Sequence, residues 1–321
     1  MAFKKAIVSI LLLVSIFLSL SADMVPAQAS QDLAGKVIFL DPGHGIGSPQ
    51  GGGSAPGYVE HYRMLNFAFL IMPLLTARGA TVYLTRYTDH DVPIAARIGF
   101  INKIALQAIR DEYIDDVRLD KIDRLIGIMQ DLIDDPLTEG PRLTNTPYDA
   151  QRVIHPDMQQ VFEYLDNPII QNNFLLISLH SNAPSEPNSS IRGAEVYYIS
   201  PSEHHETPNY YTEYPYVTQS RNFADILLDH IHGVYYNRNN IFRRSNGLRA
   251  QNYFMIREVG IPSVLTENGY HTNSLDRSLL RNETYMSMLA YAYAEAVSQY
   301  FSVQSLFPTI PPAQSNEILI D

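Results

Sequence analysis

The chain has 321 residues, 34 acidic and 23 basic, with a formal net charge of −11. That acidic balance argues against nucleic acid as a partner, because a polyphosphate backbone is held by basic faces. Cysteine is absent, which excludes thiol catalysis and thiolate metal sites and leaves histidine and carboxylate to hold any metal.

Residues 1–29 have the pattern of a secretory signal. Lys4 and Lys5 precede a charge-free, mostly apolar run over 6–20, and Ala27-Gln28-Ala29 is a small-residue cleavage site. The expectation is an exported protein, either periplasmic or in the cell wall and extracellular space. No later stretch approaches the ~20 apolar residues of a membrane-spanning helix.

Short apolar runs predict strands over 37–40, 81–85, 174–179, 194–199 and 263–266. Helical patterns cover 60–78, 217–236 and 275–301. Apolar strands alternating with helices predict an α/β fold, a mostly parallel twisted sheet with helices on both faces. Ligands of such sheets sit beyond the carboxyl ends of the strands.

Residues 104–172 interrupt this rhythm, with 14 acidic against 6 basic residues. Ile109, Tyr113, Val117, Leu125, Met129 and Leu132 recur at roughly helical spacing. They predict a helical insertion with a solvated acidic face. The sharper alternative is a lid over the site, or a dock for an activator protein. The domain plan is therefore one domain over 30–301 carrying the insertion 104–172, followed by a peripheral tail over 302–321. A monomer is expected.

Three predicted strand ends carry chemistry. "KVIFLDPGHGIGS" places His44 in a turn made by Pro42, Gly43 and Gly45. "FLLISLHSNA" ends at His180, and "IPSVLTENGYHTN" ends at Glu267. A fourth group, Glu60, begins the first long helix after the Gly-rich loop "GIGSPQGGGSAPGYV", whose composition lets it fold back over the sheet edge. Two histidines and one glutamate with an open fourth position form a catalytic zinc donor set, and a second, unligated glutamate supplies a base.

The stretches "IFLDPGHG", "VEHYRMLNFAF", "ARGATVYLTRYTD", "VPIAARIGFIN", "LLISLHSNA", "RGAEVYYIS" and "IPSVLTENGYHTN" follow one another in order over most of 36–299. In these the chain resembles the zinc-dependent N-acetylmuramoyl-L-alanine amidases of the amidase 3 family. The resemblance implies zinc ligands His44, Glu60 and His180, with Glu267 as the catalytic carboxylate. It also implies cleavage of the amide between N-acetylmuramic acid and L-alanine in peptidoglycan. Alternative readings are a zinc peptidase acting within the stem peptide and a non-catalytic peptidoglycan-binding domain. The chain departs from the family at Ile46-Gly47-Ser48-Pro49, where members often carry an acid, and in the insertion.

Lesser expectations attach to other polar residues. Asp41 and Asn182 would orient the two ligand histidines. Arg86 and Arg97 would pair with Asp89 or Asp91. His271, four residues after Glu267, would bond substrate or cap the following helix. His230 and His232 read as surface and boundary residues, and His204 and His205 as part of a polar loop.

Overall fold

The computed structural model describes residues 31–48, 52–113, 116–143, 155–183, 190–199, 216–239, 247–251 and 253–306. The expected signal segment, the loop bearing His204 and His205, and 307–321 of the expected tail lie outside the described residues.

A six-stranded sheet organises the molecule. Its strands are β1 (Val37–Pro42), β4 (Thr81–Leu84), β5 (Phe174–Asn182), β6 (Glu195–Tyr198), β7 (Leu248–Ala250) and β8 (Ser263–Tyr270). A two-stranded hairpin, β2 (Ser54–Ala55) and β3 (Tyr58–Val59), stands apart. The sheet order is β4-β1-β5-β8-β6-β7. Every neighbouring pair is parallel except β6 with β8, which is antiparallel. The expected α/β class with a mostly parallel sheet is therefore present.

Side chains of the central strands alternate between two cores, as a period of two demands. Ile38, Leu40, Leu175 and Ile177 face one core, whereas Phe39, Phe174 and Leu176 face the other. The first core is closed by α1 (Glu60–Thr76), α7 (Tyr216–Asn239) and α10 (Glu283–Leu306), through Phe67, Ile71, Phe223, Leu227, Tyr293 and Val297. The second is closed by α2 (Ile94–Arg110), α3 (Asp116–Asp134), α5 (Pro156–Leu165), α6 (Pro168–Asn173) and the single turn α8 (Phe254–Arg257). Each fully buried aliphatic side chain in these layers contributes roughly 1.5–3 kcal/mol.

Local signals set where these helices begin. Pro156 and Pro168 open α5 and α6 as first helical residues, a position where the missing N–H costs nothing. The side chains of His155 and Asn167 accept the orphan N–H groups of Asp157 and Ile169 at 3.2 and 2.8 Å.

Three departures from the sequence reading have physical causes. The run expected as one helix over 275–301 is two, α9 (Ser274–Leu280) and α10, because Asn282 Oδ1 accepts the Tyr285 N–H at 2.8 Å and caps a new start. Helix α10 also continues to Leu306, into the stretch expected to be tail. Strands β5 and β8 extend past their apolar runs, since backbone pairing persists through His180 with Glu267 and Asn182 with Tyr270.

The described residues of the segment 104–172 are mostly helical, and Asp120, Asp123, Asp131 and Asp134 of it are exposed. Helix α3 and the short α4 (Pro136–Leu143) add a further layer outside α2. The buried residues Ile122, Leu125, Met129 and Leu132 of α3 form its inner stripe. The two helices approach closely at Gly99, where a Cβ would come within 2.8 Å of the Met129 carbonyl. The apolar stripe of α3 packs into the second core. No described helix is long and apolar enough to cross a membrane.

Candidate metal centre

The site lies at the carboxyl ends of β1, β5 and β8. After Pro42 the chain turns through Gly43 to His44, which adopts φ +57°, a left-handed conformation that side chains seldom occupy. Two buried arginines hold the turn by its carbonyl oxygens. Arg86 donates to Pro42 (Nε, 2.9 Å) and Gly43 (Nη2, 3.0 Å). Arg97 donates to Pro42 (Nη1, 2.9 Å) and His44 (Nη2, 2.8 Å). Three successive carbonyls are thus fixed by charge-assisted bonds, which is what the strained His44 requires.

Arg97 is anchored in turn by Asp41 at 3.0 Å, and Asp41 also accepts from Thr85 at 2.5 Å and Ser178 at 2.6 Å. Burial pulls the Asp41 carboxyl up, but Arg97 and the two hydroxyls outweigh it and hold the group below the usual carboxylate range. Asp41 therefore acts on His44 through Arg97 and the backbone, not by bonding the imidazole. Arg97 does meet Asp91, at 3.2 Å as expected. Arg86 instead spends its donors on carbonyls, those of His61 and Thr88 included.

Gly43 serves the second histidine. A Cβ there would fall 2.2 Å from Cε1 of His180, so only glycine lets that ring settle on the turn. The His44 and His180 rings meet edge to face with centroids 4.8 Å apart.

Glu60 opens α1 and is folded back over the sheet edge by the β2–β3 hairpin. Its Oε1 lies 3.2 Å from His180 Nδ1 and 3.5 Å from His44 Nε2, and accepts the Ser181 N–H at 3.0 Å. Its Oε2 accepts the Gly53 N–H at 2.7 Å. Burial would raise the Glu60 carboxyl, yet its bonds with His180 and His44 prevail and hold it well below the ordinary range. One donor atom each from His44, Glu60 and His180 lies within 4.8 Å of the others.

Glu267 stands in register with His180 across β5 and β8. Its Oε2 is buried and has no hydrogen-bond partner among the described residues. Burial first, then the charges of Glu60 and Glu195, push its carboxyl well above the usual value. The backbone beneath it is tied down: Asn268 Nδ2 donates to the His180 carbonyl at 3.1 Å, while Asn268 accepts from Tyr293 at 2.6 Å and Tyr235 at 3.0 Å.

The structure reassigns His271 and Asn182. His271 is buried, its Nδ1 lies 3.0 Å from both Oγ and the carbonyl of Ser181, and its ring stacks on Tyr58 at 5.4 Å. It buttresses the hairpin against β5. The cap of α9 is Asn273, which accepts from Leu275 and Asp276. Asn182 donates to Glu195 at 3.0 Å, leaving His180 to others. His230 faces Gln299 on α10 at 2.8 Å.

Glu195 is a buried residue of the site's surroundings that the sequence reading did not single out. It lies in register beside Glu267 and accepts from Tyr197 at 2.6 Å, Tyr270 at 3.1 Å and Arg249 at 2.7 Å. Its only sequence signal is a charged residue inside the apolar run "RGAEVYYIS".

Comparison with known proteins identifies the family. The family model described as N-acetylmuramoyl-L-alanine amidase matches residues 38–109 and 146–299, passing over the segment that contains α3 and α4. The germination-specific N-acetylmuramoyl-L-alanine amidase of Bacillus subtilis is 22% identical over 273 residues, covering 85% of this chain and 83% of that one. A probable cell wall amidase of Staphylococcus epidermidis is 36% identical over 58 residues. That match spans 18% of this chain and about a fifth of the relative.

Among solved structures, the N-acetylmuramyl-L-alanine amidase of Mycobacterium smegmatis superposes with TM-score 0.52 at 17% identity, covering 85% of this chain and 99% of that one. The amidase of Clostridium difficile 630 gives 0.51 at 17%, covering 83% and 97%. At such identities the superpositions speak for the fold. With the family match covering well over half of its length, the chain belongs to the N-acetylmuramoyl-L-alanine amidase family.

Proposed function

We propose that this protein is an exported, zinc-dependent amidase that hydrolyses the bond between N-acetylmuramic acid and L-alanine in peptidoglycan. The observation that carries the reading is the convergence of His44, Glu60 and His180 beside the unpartnered buried oxygen of Glu267. The donor types suit zinc, and with all three atoms within 4.8 Å of one another the two histidines would close slightly on an ion. Ligands about 2.0–2.1 Å from a tetrahedral ion stand ~3.3 Å apart, and Glu60 Oε1 lies 3.2 and 3.5 Å from the two imidazole nitrogens.

When bound, zinc in a two-histidine, one-carboxylate set acts as a Lewis acid and brings the pKa of water from 15.7 towards ~7. The chain's own groups would do the rest. The Gly53 and Ser181 N–H groups fix the rotamer of Glu60, so its donor oxygen is aimed before any ligand arrives. Glu267 would take a proton from the water attacking the lactyl carbonyl. It would return that proton to the L-alanine nitrogen as the carbon–nitrogen bond breaks.

Residues 1–29 support export, to the periplasm or the cell wall, and peptidoglycan would be the substrate of a monomer. An activator protein would meet the exposed acidic face of α3.

The test is digestion of purified peptidoglycan with zinc counted by elemental analysis. One zinc per chain and stem peptides released with free L-alanine amino termini are expected. Glu267→Gln should lower the rate by about 10²–10⁴ while keeping its zinc, whereas His44→Ala should lose it. New amino termini inside the stem would instead establish a peptidase, and wall binding without release would establish a binding domain.

A further inference from the structure

Helix α1 carries more than a metal donor. Arg63, Asn66 and Leu70 follow Glu60 along the helix and line one wall of a cavity of about 350 Å³. Its opposite wall is Arg281, Glu283 and Met286, where α9 gives way to α10. Arg63 lies three residues after Glu60, within one 5.4 Å turn of the metal-cluster carboxylate. Among the described residues neither Arg63 nor Arg281 has an ion pair, although the chain as a whole is strongly acidic.

Arg281 is an exposed residue that lies beside the hairpin. A Cβ on Gly57 would meet its Cζ, Nη1 and Nη2 at 3.2, 3.2 and 3.3 Å, so the guanidinium lies flat against the hairpin turn. Arg281 and Arg63 both line the cavity. The same hairpin carries the Gly53 N–H that fixes Glu60, so cavity and metal cluster share one element.

We infer that this cavity is a subsite for a free carboxylate of the stem peptide, bound between the Arg63 and Arg281 guanidiniums, with Leu70 and Met286 receiving its apolar atoms. Two forks of N–H donors suit a carboxylate. Glu283 at the rim excludes a second anion and suits an amine on the same peptide. The assignment rests on the amidase reading above.

The experiment is calorimetric titration of the zinc-loaded full chain with three probes: a soluble stem peptide, the same peptide with its carboxylates converted to amides, and inorganic phosphate. Steady-state kinetics on a muropeptide accompany it. Arg63→Gln and Arg281→Gln are each expected to weaken acidic-peptide binding about five- to tenfold, as one partly exposed charge-assisted bond would. KM should rise in step, and binding of the amidated peptide should stay as in the wild type. Arg281→Lys should recover part of the loss.

Equal losses for acidic and amidated peptides, or none for either, would overturn the subsite. So would phosphate competing as well as the acidic peptide, which would mark an adventitious anion site. Acidic-peptide binding that depends on both arginines, in a protein releasing nothing from peptidoglycan, would sink the amidase reading and leave the subsite standing. Full release with arginine-independent binding would do the reverse.

Discussion

At the scale of single residues, the candidate metal cluster depends on atoms that are absent as much as on those present. His180 can reach Glu60 because Gly43 has no side chain. Gly43→Ala should therefore displace the imidazole and lower zinc affinity at least tenfold, as disturbed ligand support does elsewhere. Competition with a chelator would measure it, and an unchanged affinity would show that the ring has room to retreat. Asp41 offers a pH test, made on zinc-free protein so that metal loss does not intrude. Its carboxyl is held below the usual range in the folded state, so its contribution is complete above the unfolded value of about 3.9 and is lost as pH falls through the folded one. Asp41→Asn should destabilise the protein by about 1–3 kcal/mol at neutral pH, because Arg97 then keeps only Asp91 as an ion-pair partner. Urea titrations between neutral pH and pH 3 should show that difference shrinking as the pH falls.

At the scale of elements, what could be read from the sequence followed from local chemistry. The apolar runs gave β1, β4, β5 and β8, and a run that stops at a polar residue pointed to His44, His180 and Glu267. Glu60 was legible because a Gly-rich loop ahead of a helix can bring its first carboxylate back to the sheet edge. What stayed hidden depends on register and pairing. Glu195 faces Glu267 only because β6 runs antiparallel to β8, and three residues of β7 have no pattern of their own. The break at Asn282 rests on one capping side chain. The close approach of α2 and α3 has a consequence that can be measured. Gly99→Ala should drive a methyl into the Met129 carbonyl and destabilise the protein by about 1–3 kcal/mol. Thermal and urea denaturation would report it, and zinc content should be unaffected because this packing belongs to the second core.

At the scale of the whole molecule, the sheet carries the three proposed donors at the carboxyl ends of its strands and at the start of α1. Two arginines, a hairpin and a tyrosine-supported asparagine hold the proposed donors and base by hydrogen bonds to the protein itself. Removing zinc with a chelator should therefore leave the far-ultraviolet circular dichroism unchanged. It should lower the melting temperature, and re-added zinc at a thousand times its dissociation constant should restore about 4 kcal/mol. Collapse of the spectrum on chelation would mean that the ion, not the protein, builds the site.

The order of the strands also governs when the chain can first act. The proposed donors and base come from positions 44, 60, 180 and 267, and β8, which supplies the base, pairs with β5 on one side and β6 on the other. Parallel partners so distant in sequence come together slowly, because a long loop must close before any contact rewards it. A nascent or clipped chain ending before β8 would carry both histidines and Glu60 yet lack the strand that completes the sheet. If the proposed wall amidase activity holds, topology itself would then guard its synthesis, since an N-terminal fragment would lack the proposed base.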